Sequence, residues 1–115
     1  MNHNIPAGIT IEPIDGGVTA SVGFRVAGIA CGIKKADTLD FALLAADNLA
    51  TAAGVFTTNK AQAAPVLLSR AHLERSGGRV AAIVVNSGCA NACTGPDGLA
   101  VAVASATRAQ SLAVL

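Results

Sequence analysis

The residues able to do chemistry gather in one stretch, NSGCANACTG, from Asn86 to Gly95. Their side chains are small or carry amide, hydroxyl or thiol groups, so the backbone stays close to whatever lies above the preceding strand, and connecting loops of this kind carry function. Asn86, Ser87, Gly88, Asn91, Thr94 and Gly95 are the candidate site residues. Two roles are open for them, contact with a ligand or hydrogen bonding of the turn's own backbone. A strand, turn and helix of this form can accept an anion at the helix N-terminus. The loop lacks the spacing and the Lys-Ser/Thr ending of a P-loop, however, and the GxGxxG of a dinucleotide site.

Other reactive residues offer less. Cys31, Cys89 and Cys93 have no neighbouring His or further Cys to complete a zinc site, so no metal is expected. No base stands near in sequence to activate a thiol, since His3 belongs to a tail and His72 to a polar helix; buried, inert cysteines are expected. A thiol enzyme using Cys89 or Cys93 ranks last. Asp37, Asp40 and Asp47 read as surface and capping groups, and Lys34 and Lys35 as a solvated turn, although a lysine pair can bind a carboxylate. No Ser/His/Asp set can be paired.

Several elements must position the loop. Val80–Val85 is an unbroken apolar, mostly β-branched run and predicts a strand. Pro96 just inside a long apolar stretch predicts a helix over 97–112, capped by Thr94 or Gly95. Upstream, residues 1–16 read as an extended arm with a turn at Asp15-Gly16-Gly17. Strands are expected over 18–26, 39–46 and 52–58, with an extended piece over 64–68 because Pro65 disfavours helix before it. Ser69 is read as the N-cap of a helix over 70–75 that Ser76-Gly77-Gly78 stops.

Composition narrows the function classes. The 115 residues support one domain, 17–115, beyond the arm. A hydrophobic share of 52% with 3% aromatics and no Trp or Tyr predicts a thin, closely approached core and a shortage that an apolar partner surface would relieve. The net charge of +1 comes from singly spread charges without interleaved aromatics, which argues against nucleic acid. No signal-peptide pattern and no apolar run of about 20 residues is present, so a soluble, cytoplasmic protein without membrane contact is expected.

Three blocks in order, GFRVAGIACGIKK (Gly23–Lys35), AAGVFTTNKAQAAPV (Ala52–Val66) and IVVNSGCANACTG (Ile83–Gly95), resemble the N-terminal region of ornithine acetyltransferase, or bifunctional glutamate N-acetyltransferase. The resemblance implies the N-terminal portion of that family's α/β sandwich, a mixed sheet with packed helices. It also implies an arginine-biosynthesis enzyme that moves acetyl from N-acetylornithine to glutamate, with acetyl-CoA as a further donor in some members and no cofactor. In the family a precursor cleaves itself before a threonine, which becomes the N-terminal nucleophile of a second (beta) chain; two alpha and two beta chains assemble. A Ser-Thr-Gly turn downstream of the helix after the NSG loop supplies the oxyanion donors.

The sequence stops at Leu115, so the resemblance places both the nucleophilic threonine and the Thr-Gly oxyanion donors beyond Leu115, and no catalytic residue carries over. Thr94-Gly95 precedes the helix, and Thr57, Thr58 and Thr107 are internal. The expectation is a partial domain, truncated at its C-terminus and inactive alone. A stand-alone, non-catalytic binding or assembly module on the same scaffold is the alternative.

Overall fold

The computed structural model describes residues 8–113. Residues 1–7 of the expected arm, His3 included, lie outside them, as does Leu115, where the domain is expected to be cut. Gly8–Ile14 contain no helix or strand. Three strands form one sheet in the order β1-β2-β3: β1 (Phe24–Ile29), β2 (Phe41–Thr51) and β3 (Arg79–Asn86). Two helices accompany it, α1 (Ala64–Ser76) and α2 (Gly95–Ala113). The result is the expected α/β class. Both strand pairs are antiparallel, so within the described residues the sheet is not the mixed one anticipated. The helix between β2 and β3 returns the chain beside β2 in the opposite direction.

Register decides which side chains meet. Val26 pairs with Leu44 and Leu44 with Ile83, while Leu43 pairs with Val84 and Ala45 with Ala82. Because successive side chains alternate between faces, Leu43, Ala45, Ala82 and Val84 share the face that α2 covers, and Val26, Leu44 and Ile83 share the other. Between Ala45 and Ala50 the register of β2 shifts through a bulge, and pairing resumes at Ala50 with Val80. That second segment explains why β2 runs five residues past the expected 39–46.

The buried apolar residues among those described are Ala45, Ala64, Ala102 and Ala109. Alanine at these positions lets helix and sheet backbones approach closely, which is the thin core the composition predicts.

Three expectations need correction. Residues 18–23 are not strand: Gly17–Ala20 form a 3-10 turn, closed where the Thr19 hydroxyl donates to the Gly16 carbonyl at 2.7 Å, and β1 starts only at Phe24. Residues 52–58 leave the sheet after one bond, Ala52 N–H to the Gly78 carbonyl at 2.8 Å. There local side-chain bonds prevail over β propensity: the Thr57 carbonyl accepts from Gln62 and Arg70, and the Asn59 carboxamide accepts from the Ala61 N–H.

The third concerns 64–68, which are helical. Pro65 falls in the first turn of α1, where its missing N–H costs nothing, and Ser69 is therefore an interior residue rather than a cap. The expected stop is real. Gly77 adopts φ 61°, and the N–H groups of Gly77 and Gly78 close onto Glu74 and Leu73, a left-handed cap that favours glycine.

Candidate functional site

All six predicted site residues lie between the C-terminal end of β3 and the start of α2. Asn86 ends the strand, and its Nδ2 donates to the Cys89 carbonyl at 2.7 Å, curling the chain over the strand end. The Ser87 N–H donates to the Asp40 carbonyl at 2.8 Å. Its hydroxyl makes no protein hydrogen bond among the described residues. Gly88, at φ 106°, lies against the side chains of Ile33 and Lys34.

Asn91 is the hub of the second half. Its carbonyl accepts the N–H of Ala64 at the start of α1, its Nδ2 donates to the Gly98 carbonyl at 2.8 Å, and its Oδ1 accepts the Thr94 hydroxyl. Asn91 adopts φ 47°, a left-handed conformation that Asn tolerates better than most residues. One residue thus ties the loop to the first turns of two helices, to α1 through its carbonyl and to α2 through its side chain. Gly95, at φ 64°, opens α2.

Of the two roles left open, backbone bonding describes the side chains of Asn86 and Asn91, and the Thr94 hydroxyl supports the second of these by donating to its Oδ1. Ser87 and Gly88 instead leave an exposed hydroxyl and an exposed stretch of backbone beside the Lys34 turn. Such an arrangement can orient a small polar ligand; it contains no nucleophile paired with a base.

Asp40 is the residue the sequence reading misplaced. It is only 2% exposed, not a surface group. Its carboxylate accepts the N–H groups of Cys31 (2.7 Å), Ile33 (2.6 Å) and Lys34 (2.9 Å). Those bonds, that of Cys31 foremost, hold the carboxyl well below the usual carboxylate range despite burial. The signal was available: a lone acid sits between Leu39 and Phe41, where a carboxylate must be satisfied locally. Asp47, by contrast, pairs at the surface with Arg25 at 2.8 Å, as a surface reading expects. Asp37 adopts φ 60° in the turn that the Thr38 N–H closes on Lys35.

Because the Asp40 pKa is depressed in the folded state, its contribution is complete above about pH 4 and is lost as pH falls through the folded-state value. The urea midpoint of the wild-type protein should therefore fall more steeply between about pH 5 and 3 than that of Asp40→Asn. Parallel midpoint curves would show that the ionised carboxylate adds nothing.

The cysteines also need correction. Cys31, Cys89 and Cys93 are all exposed and unbridged, because each lies in a loop rather than on a core face. The Cys31 thiol is pushed up, first by its hydrogen bond to Asp40, which lowers the thiolate fraction available for chemistry. Among the described residues no group of His, Cys, Asp or Glu is placed to hold a metal, and no helix is long and apolar enough to cross a membrane.

A loop held between a sheet end and two helix N-termini is the setting in which α/β enzymes place binding residues. The sequence pattern of the ArgJ family matches residues 25–114, so the chain belongs to that family. It is 54% identical over 95 residues to the arginine biosynthesis bifunctional protein ArgJ of Gloeobacter violaceus, covering 83% of this chain and 23% of that protein.

The solved ornithine acetyltransferase of Mycobacterium tuberculosis, in complex with ornithine, superposes with TM-score 0.72 at 52% identity, covering 78% of this chain and 46% of that one. The ArgJ structure from Bacillus halodurans gives TM-score 0.71 at 39% identity, with 77% and 46% covered. The chain spans about a quarter of the length of the Gloeobacter relative.

Proposed function

We propose that this chain forms the N-terminal segment of an arginine-biosynthesis acetyltransferase that moves acetyl from N-acetylornithine to glutamate. The observation that carries this is the family match across residues 25–114, which spans the three strands from Arg25 onward, both helices and the whole Asn86–Gly95 loop. A relative solved with ornithine supports a small amino acid as ligand. In this reading Ser87, Gly88 and the adjoining loop backbone line the amino-acid site.

The chemistry belongs to polypeptide beyond Leu115. A threonine hydroxyl there attacks the acetyl carbonyl carbon of N-acetylornithine, the C–N bond breaks, and ornithine leaves with the proton that the threonine's α-amino group has relayed. Glutamate's amine then attacks the ester and regenerates the hydroxyl. Acetyl-CoA enters, if used, as an alternative donor, and no cofactor or metal takes part. The second chain of the same precursor is the partner, in an assembly of two alpha and two beta chains in the cytoplasm. Its contact surface on this segment is the sheet face bearing Phe24, Val26, Ile83 and Val85, all exposed here.

The test follows labelled acetyl from N-acetylornithine to glutamate. The complete protein is expected to transfer it and residues 1–115 alone are not. Transfer by the 115-residue chain would overturn the assignment of chemistry to the other polypeptide, and no transfer by the complete protein would overturn the activity itself.

A further inference from the structure

Asp40 stands outside the Asn86–Gly95 loop yet holds it from two sides. Its carbonyl accepts the Ser87 N–H at 2.8 Å, while its own N–H donates to Ile29 at 3.1 Å. Its carboxylate gathers three N–H groups and so sets the backbone of the turn at Cys31–Lys34. That turn in turn sets Gly88. A Cβ on Gly88 would stand 2.9 Å from Lys34 Cγ and 3.0 Å from Ile33 Cγ2, so the two loops touch with no room to spare. The buried carboxylate, the turn wound around it and the first residues of the loop form one packed unit.

We propose that Asp40 is a positioning residue for amino-acid binding, acting through Ser87 and Gly88. This deepens the function proposed above and rests on it for the identity of the ligand. The negative charge is required because three N–H donors converge on two oxygens. An asparagine of the same shape would present an NH2 group to at least one donor and leave it unpaired. The turn would then rearrange, Ile33 and Lys34 would shift, and Gly88 would lose the surface on which it lies.

The experiment compares Asp40→Asn with wild type in the complete protein, reading KM and kcat for acetyl transfer together with amide exchange at Ser87. KM for the amino-acid substrate should rise about tenfold with kcat changed less than about threefold. The Ser87 amide should exchange at least about tenfold faster, although its acceptor, the main-chain carbonyl of residue 40, is still present.

Gly88→Ala strains the same contact from the loop side with Asp40 intact. It should reproduce the KM rise; should Asp40→Asn not fold, Asp40→Glu, which keeps the charge but displaces the carboxylate, decides the matter by the same KM and Ser87 exchange readouts. Asp47→Asn, which removes only the surface pair with Arg25, should leave KM and Ser87 exchange unchanged. A merely structural role for Asp40 would lower kcat in step with the folded fraction, leave KM alone and leave Ser87 exchange in the folded protein at the wild-type rate; that pattern overturns the proposal. If the unsubstituted protein transfers no acetyl, the functional reading fails separately. Ser87 exchange then decides alone: acceleration upholds the hold of Asp40 on the loop, and no change overturns it.

Discussion

Gly98→Ala is expected to destabilise the protein by about 2–4 kcal/mol, although alanine is the better helix former. Gly98 is buried in the first turn of α2. A Cβ there would overlap the Thr94 hydroxyl and the Asn91 Oδ1, and it would stand 2.5 Å from Thr94 Cβ. Rotating Thr94 about χ1 moves the hydroxyl but not its Cβ, so side-chain adjustment cannot relieve the clash. The backbone of residues 91–98 must shift instead, which breaks the Asn91 bond to the Gly98 carbonyl and loosens the bond from Ala64 at the start of α1.

Replacing glycine by alanine gains at most about 1 kcal/mol of helix propensity. Overpacking costs about 1–3 kcal/mol and each lost hydrogen bond about 1 kcal/mol, so the loss prevails. Thermal unfolding should report a fall in Tm on the order of 10 °C. An unchanged or higher Tm would mean that the Asn91 hub is soft enough to rearrange without cost.

That hub also marks how far the sequence could be read. The run over Val80–Val85 and the Pro96-led helix were legible, because strand propensity and helix-start chemistry are local properties. So was the loop between them, whose amides and glycines stand out from their apolar surroundings. The ties that shape it were not. Asn91 meets Ala64 and Gly98, and Asp40 meets Cys31, Ile33, Lys34 and Ser87. Such pairings depend on the fold, not on spacing along the chain. Residues 52–58 failed for a related reason, since β-branched residues become a strand only when a neighbouring strand offers partners, and past Ala52 none does. At Pro65 two local rules conflicted, and tolerance of proline in a first helical turn prevailed over its bias against helix in the residue before it.

The largest effect on assembly is expected from Ile83→Lys combined with Val85→Lys. On the sheet face away from α2, Phe24, Val26, Leu44, Ile83 and Val85 are brought side by side by the register of three strands. Ile83 is 50% and Val85 56% exposed. A continuous apolar band of this kind marks an interaction surface, and no helix among the described residues covers it. Residues 1–115 alone should therefore bind a hydrophobic dye and self-associate.

Two lysines at half-exposed positions cost the segment itself little, on the order of 0.5 kcal/mol each. Buried against a second polypeptide, each unpaired ammonium would cost several kcal/mol, which exceeds what an ordinary contact can offset. Dye fluorescence of the isolated segment should fall several-fold, and in the complete protein the doubly substituted chain should no longer co-purify with the second chain proposed above. Retained co-purification would place the contact elsewhere, on the opposite side of the sheet where α2 leaves Phe41 and Leu43 beside Arg108. Charge at Leu43 would then be the disrupting substitution, and the face bearing Ile83 would be free to meet solvent in the assembled protein.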